Sequence, residues 1–287
     1  MFIAMRRKRF KYDFGKTKKK ARAFSEMHKC NKLFVLPGVW NVGSAYVFEK
    51  QGFKAIGTSS AGTAHDLGYP DGQRISFHDL LWLTEKIANR VDIPLSVDIE
   101  RGYGDTNEEI KENARKLIFA GAVGFNIEDG TPDGKLSPLG TQIEKIKALS
   151  QLKNELEIDF VINARTDAYL LNEASEETLA SAIARCNAFA EAGADCVFIP
   201  GAKDKATISS LVGEVNAPIN ILLNAALGSF ESLDKIGVRR LSLGCYPAKF
   251  IYSKIIDMAR NLHDGDVSEL ISHDFSSEKA NNYFAKS

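Results

Sequence analysis

The chain has 287 residues, 44% of them hydrophobic, and its 37 basic side chains are balanced by 37 acidic ones. That size suits one globular domain whose core needs no disulfide or metal staple, and the balance leaves no net charge for holding nucleic acid. No apolar run approaches the length of a membrane span. Cys30, Cys186, Cys196 and Cys245 lack metal-type spacing and read as free thiols of a cytoplasmic protein, with Cys196 and Cys245 inside strands.

In chain order, residues 1–23 come first, with Arg6, Arg7, Lys8, Arg9, Lys11, Lys16, Lys18, Lys19, Lys20 and Arg22 against the single acid Asp13. They read as a solvated basic extension, the alternative being an arm that touches nucleic acid or an acidic membrane. A catalytic domain is expected over 24–266. Its apolar runs are 33–38, 55–60, 95–100, 124–129, 160–165, 196–201, 219–224 and 240–245. Most are near-continuous, as parallel strands covered on both faces are. Helical segments lie between them: Ser76 opens 77–91, Thr106 and Glu109 form a capping box, and Ser175 opens 176–193. Eight strand–helix repeats in this length predict a (β/α)8 TIM barrel. The alternative, an open doubly wound sheet, would show a Gly-rich turn after its first strand, and Pro37-Gly38-Val39-Trp40-Asn41 is not one. The segment 249–262 has a broad apolar face (Phe250, Ile251, Ile255, Ile256, Met258, Leu262), more than a solvated terminal helix needs. The tail 267–287 is polar, with Phe275, Tyr283 and Phe284 as anchors.

In such a barrel the site lies at the C-terminal strand ends. Ser59, Ser60, Ala61 and Gly62 follow the second run, with His65, Asp66 and Asp71 beyond. The third ends in Asp98 and Glu100, the fourth in Glu128 and Asp129, the fifth in Arg165 and Asp167, the seventh in Asn224. Asp98 alternates with Glu100, and Asn163 with Arg165, so each pair is expected to face one side of its strand. Two acids inside a barrel repel unless a cation lies between them. With Glu128 they form an all-oxygen set suited to Mg²⁺ or Mn²⁺, although an acid cluster balanced by Arg101 and Arg165 is the alternative. Arg165 is either a structural ion-pair partner or a planar clamp for a carboxylate or phosphoryl group. Residues 59–62 either end a strand or form an anion-binding turn. Asp105, Asp129 and Asp167 read equally well as helix caps or turns. His28, His78, His263 and His273 are expected at the surface, and His65 near the site.

Read together, Leu36-Pro37-Gly38-Val39-Trp40-Asn41, Thr58-Ser59-Ser60-Ala61-Gly62, Gly68-Tyr69-Pro70-Asp71, Asp98-x-Glu100-x-Gly102-Tyr103-Gly104, Ile127-Glu128-Asp129 and Ala164-Arg165-Thr166-Asp167-Ala168 resemble the isocitrate lyase/phosphoenolpyruvate mutase superfamily across roughly residues 24–262. The resemblance implies a barrel whose last helix is exchanged with a neighbour, usually in a dimer of dimers, a homotetramer. It implies Mg²⁺ holding a small 2-oxo or 2-hydroxy acid while a C–C or P–C bond breaks beside it through an enolate. Asp71, Asp98, Glu100 and Glu128 would then hold the metal directly or through water. Ser59, Ser60, Ala61 and Gly62 would bind the substrate carboxylate, and Arg165 would be a second anion clamp, with Asn224 near the substrate.

The sequence departs from that pattern at three points. The metal motif is usually Asp-x-Asp, and here the second acid is Glu100. The loop 130–138 lacks the Cys and His of the isocitrate and methylisocitrate lyases. Pro200-Gly201 stands where those lyases place a substrate-binding Glu. The expectation is therefore a Mg²⁺-dependent lyase or decarboxylase that cleaves neither isocitrate nor methylisocitrate, with Lys135, Arg165 and Asp71 as catalytic candidates. Lys135 is the first choice of proton donor and otherwise a solvated loop charge, with Tyr69 or His65 behind it. A hydrolase or phosphonomutase acting on oxaloacetate or phosphonopyruvate is one alternative. A non-catalytic barrel used as a binding module is the other.

Overall fold

The computed structural model describes residues 13–285. Its strands are β1 (Phe34–Leu36), β2 (Gly38–Val39), β3 (Ile56–Thr58), β4 (Leu95–Asp98), β5 (Gly124–Glu128), β6 (Val161–Arg165), β7 (Cys196–Phe198), β8 (Ile219–Leu222) and β9 (Arg240–Ser242). All pairings are parallel, in the order β1-β9-β8-β7-β6-β5-β4-β3-β2. β1 and β2 are one expected strand divided at Pro37, whose nitrogen has no hydrogen to give to a ladder. On one side of the break Leu243 N–H donates to Leu36 O, and on the other Gly57 N–H donates to Pro37 O, both at 3.0 Å. Because β1 pairs with β9 and β2 with β3, the divided strand brings the sheet round into a (β/α)8 barrel.

Helices follow the expected start signals. Ser76, Thr106 and Ser175 each accept from the third amide of Phe77–Arg90, Asn107–Phe119 and Glu176–Glu191, and Glu109 completes the capping box on Thr106. Several strands stop short of their predicted ends: β4 at Asp98, β7 at Phe198, β8 at Leu222 and β9 at Ser242. The residues beyond those ends form the loops around the candidate site.

The predicted solvated extension needs correction. The helix Phe14–Lys29 starts inside it, with Asp13 as its cap, and buries Thr17, Ala21, Phe24, Ser25 and His28. Lys16, Lys19 and Arg22 remain exposed, so the basic character belongs to one face of an amphipathic helix. Residues 6–11, with their basic cluster, lie outside the described residues. His28, expected at the surface, is only 2% exposed. It falls four residues after Phe24 on the buried stripe, with Nδ1 2.8 Å from Phe24 O, and burial pushes its pKa down to about 3, leaving it neutral. Phe24 meets His28 and Phe34 edge-on at 4.7 and 6.3 Å, and a Cβ on Gly124 would strike its ring at 2.8 Å. This helix closes the N-terminal end of the barrel.

At the other end of the chain, the helix Tyr246–His263 leaves Phe250, Ile251, Ile255 and Ile256 exposed. The tail returns to the barrel: Tyr46 Oη donates to Ala285 O at 2.9 Å, and the Phe284 ring stacks on Tyr46 at 5.7 Å. Among the described residues no helix is long and apolar enough to cross a membrane.

Candidate active site

A cavity of about 210 Å³ opens at the C-terminal strand ends, lined by Thr58, Ser59, Ser60, Ala61, Asp71, Asp98 and Arg165 on one side. Phe198, Pro200, Leu222, Ser242, Gly244, Cys245, Tyr246 and Lys249 complete the wall, and Asn126 and Arg240 lie deeper.

Asp98 ends β4 and is 8% exposed. Its own N–H donates to Thr58 Oγ1 at 2.9 Å, while its carboxylate accepts from Glu100 N–H at 3.1 Å and Ser60 N–H at 3.4 Å. Burial pushes its pKa up, with Arg165 and those two amides pulling the other way. Ser59 caps the short helix Ser60–Asp66 by accepting from Gly62 N–H at 3.3 Å. Residues 59–61 thus form a helix start at the cavity wall, with the Ser60 and Gly62 amides engaged by Asp98 and Ser59.

Glu100 lies beyond the strand, so it does not alternate with Asp98 as the sequence implied. The chain turns into the left-handed region at Glu100 (φ 46°) and Tyr103 (φ 55°), an uncommon conformation for residues with a Cβ. The turn buries Glu100 behind Asp98, where its Oε1 accepts from Tyr103 Oη at 2.9 Å. Burial and the neighbouring Asp98 raise its pKa to about 7. Arg101 N–H donates to Gln73 Oε1 at 3.3 Å and Arg101 Nη2 to Gly72 O at 3.3 Å, which ties the turn to the loop carrying Asp71.

Arg165 is already engaged: Nη1 lies 2.8 Å from Glu128 Oε2, and Nε lies 2.6 Å from Asp167 Oδ1. Burial opposes its charge, but Glu128, Asp167 and Asp98 outweigh that and hold the guanidinium protonated. Burial drives Glu128 up to about 8 against the pull of Arg165, and Arg101 approaches it at 3.9 Å. The acid cluster balanced by two arginines therefore describes Glu128. It does not describe Asp98 and Glu100, which form no ion pair among the described residues. Asp129 is no simple cap: it is 1% exposed, accepts from Asp167 N–H at 2.8 Å and pairs with Arg185 at 3.1 Å. Asp167 precedes the helix Ala168–Leu171 without a side-chain cap bond.

Gly62, Glu100 and Glu128 lie just behind the cavity wall, and Lys135 and Asn224 also stand outside it. Lys135 lies on a small antiparallel turn (Gly130 bridged to Leu136); its side chain is 77% exposed and pairs with Asp133 at 3.0 Å. Asn224 lies past the end of β8 and uses its Oδ1 to accept from Ala226 N–H at 2.9 Å, stabilising its own turn. Sequence reading missed Cys245, placed in a strand but found at the cavity wall, together with Tyr246, Lys249 and Arg240. For Arg240 a signal existed: it alternates with Ser242, so a charge opens the inward face of a strand.

The family model described as phosphoenolpyruvate phosphomutase matches residues 24–263. The chain belongs to the isocitrate lyase/phosphoenolpyruvate mutase superfamily. An uncharacterized protein of Mycobacterium tuberculosis is 34% identical over 244 residues, covering 85% of this chain and 90% of its own. A 2-methylisocitrate lyase of Escherichia coli is 29% identical over 221 residues, 73% of this chain and 72% of that one. Among solved structures, a candidate lyase/mutase from Burkholderia cenocepacia superposes with a TM-score of 0.87 at 30% identity, covering 94% of this chain and 97% of that one. An oxaloacetate acetylhydrolase in complex with its product oxalate gives 0.82 at 26%, covering 96% and 95%. Lyases, mutases and hydrolases thus share this superfamily's barrel.

The donor set fits a hard divalent cation in its chemistry, since it is all oxygen and burial raises the pKa values of Asp98 and Glu100, a cost that a nearby cation would offset by favouring the ionised acids. Among the described residues, however, no three His, Cys, Asp or Glu side chains converge closely enough to hold an ion by themselves. Of the four expected ligands, Asp71 and Asp98 line the cavity, whereas Glu100 and Glu128 do not.

Proposed function

We propose that the protein is a Mg²⁺-dependent lyase that cleaves a C–C bond in a small 2-oxo or 2-hydroxy carboxylic acid. The observation that carries this reading is the convergence of Asp98, Arg165 and the helix start at residues 59–61 on one cavity. Asp98 would hold Mg²⁺ or Mn²⁺, with Glu100, Glu128 and Asp71 reaching it through water. Bound there, the cation would draw electron density from the 2-oxo carboxylate. The helix start, with the Ser59 and Ser60 hydroxyls and Ala61 at the cavity wall, would orient the substrate carboxylate. Arg165, fixed by Glu128 and Asp167, offers its remaining N–H groups to developing negative charge without having to reorganise. Phe198, Pro200 and Leu222 narrow the cavity and keep water from its inner side. Lys135 can deliver a proton only if its loop closes over the cavity, whereas Tyr246 and Lys249 already border it. The exposed face of Tyr246–His263 is expected to pack on a second copy, giving a dimer or tetramer, and a monomeric mass by light scattering would contradict that.

The test is to incubate the protein with Mg²⁺ and a panel of 2-oxo and 2-hydroxy acids and phosphonopyruvate, following release of pyruvate, oxalate and phosphate. Pyruvate from a C–C cleavage supports the reading. Oxalate with acetate from oxaloacetate, or phosphate from phosphonopyruvate, would replace it with a hydrolase. Isocitrate and methylisocitrate are expected to stay intact, because residues 130–140 contain no thiol or imidazole. Loss of such a proton donor costs on the order of 10²–10⁴ in rate.

A further inference from the structure

The inside of the barrel below the cavity is unusual in what fills it. Small barrels pack this space with branched apolar side chains. Here Asn126, Asn163, Asn220 and Arg240 occupy it, each no more than 9% exposed. Their strands place them one step below side chains of the cavity wall, Asn163 below Arg165, Asn220 below Leu222 and Arg240 below Ser242, all facing the axis. Asn163 Nδ2 donates to Asn126 Oδ1 at 2.5 Å. Arg240 Nε donates to Ser242 Oγ at 3.0 Å and Nη2 reaches Asn126 Oδ1 at 3.4 Å. Both of these acceptors are neutral. Arg240 Nη1, Asn163 Oδ1 and both polar atoms of the Asn220 amide are buried without a partner.

Arg240 is therefore a guanidinium 1% exposed that forms no ion pair among the described residues. The acid whose field reaches it is Asp98, and His28 nearby is neutral and cannot compensate. Burial lowers the Arg240 pKa to about 10, which still leaves it charged at neutral pH. A buried, unpaired charge lowers stability, and an apolar side chain of similar volume would serve the fold at least as well. Packing alone thus gives no reason for an arginine here. Its place in the cavity lining does: it forms the floor of the space whose mouth holds residues 59–61 and Asp98.

We propose that Arg240 binds a second anionic group of the substrate, a carboxylate or phosphonate oxygen inserted down the barrel axis, and so selects dianionic over monoanionic acids. The division of labour between the arginines follows from their partners. Arg165 has Glu128 and Asp167, whereas Arg240 has only neutral acceptors and so gains most from an incoming anion. Asn126, which already accepts from Arg240, holds the guanidinium in place, and the unpartnered Asn220 amide supplies a further donor at the same depth.

This assignment rests on the reading of the cavity as a carboxylic-acid site, and the experiment separates the two. Binding of malonate (a dianion) and pyruvate (a monoanion) is measured by calorimetry at neutral pH, with and without Mg²⁺, for the wild-type protein, Arg240→Met and Arg240→Lys. Arg240→Met is expected to weaken malonate by about 10- to 100-fold and pyruvate by less than about threefold, the effect of losing one charge-assisted contact. Arg240→Lys keeps the charge without the planar fork and is expected to lose malonate affinity to a smaller degree, again sparing pyruvate. It carries the test should Arg240→Met fail to fold. Equal losses for both acids would overturn the proposal in favour of a general electrostatic role, as would unchanged malonate binding in favour of a purely internal one. A wild-type protein that binds neither acid would overturn the carboxylic-acid reading and this assignment with it.

Discussion

The two ends of the barrel solve opposite problems with the same strands. At the N-terminal end, Phe24, His28 and Phe34 meet edge-on under Gly124, and His28 is held neutral. At the C-terminal end, Asp98 and Glu100 are buried without ion-pair partners among the described residues, and Glu100 is held by a left-handed turn. The closed end meets the demands of packing, while the open end keeps charges that packing alone would remove. Stability and chemistry are thus assigned to different ends of each strand, so substitutions at the two ends should fail in different ways.

The largest effect is expected at the closed end. Phe24→Ala should lower unfolding free energy by about 3–5 kcal/mol in a denaturant titration, because the helix Phe14–Lys29 has little room to collapse onto the strands. Carboxylic-acid affinity of the folded fraction should be retained. Asp98→Ala should do the reverse: Mg²⁺-dependent acid binding falls by more than about 100-fold in calorimetry, roughly 3 kcal/mol, with little harm to folding, since removing an unpaired buried acid seldom destabilises. Unchanged Mg²⁺ affinity would remove Asp98 from the cation site.

A smaller effect is expected from pH. Glu100 is raised from 4.5 in the unfolded chain to about 7 in the fold, so the native state holds that proton more tightly. Without Mg²⁺, this group's contribution to stability is full below about pH 4.5, declines as pH rises toward 7 and is lost above it. Cation binding needs the ionised acid, so the rise in Tm on adding Mg²⁺ should grow between pH 6 and 8, in about the range where Glu100 titrates. A Mg²⁺ shift independent of pH would exclude Glu100 from the cation's surroundings. Smallest of all, Lys135→Ala should change stability by no more than about 0.5 kcal/mol, since its ion pair with Asp133 is exposed. A large fall in kcat without a change in KM would show instead that the loop closes during turnover.

Much of this was legible in the chain before any fold was seen. Strand–helix alternation predicted the barrel, and Ser76, Thr106 and Ser175 marked their helices, because both signals are local. Asp98, Arg165 and residues 59–62 could be placed because they sit at or just past strand ends, where topology fixes their direction. The direction of Glu100 was not legible: alternation assumes a strand that has already ended at Asp98. His28 and the start of the first helix were misread because nearby lysines masked an apolar stripe at helical spacing. Asn224 and Lys135 lie away from the cavity wall because loop side chains answer to their own turns. Arg240 was overlooked because its meaning comes from what fails to pair with it, which only the packed barrel reveals.

The seam where the barrel closes sets a boundary for redesign. A Cβ on Gly38 would collide with the backbone carbonyl of Gly244, and Pro37 breaks the ladder next to it. The wall at that point is main chain against main chain, with no side-chain volume to trade. A library meant to change the acceptable acid should therefore leave positions 37, 38 and 244 alone. It should vary Phe198 and Leu222 instead, whose side chains line the cavity and can be exchanged.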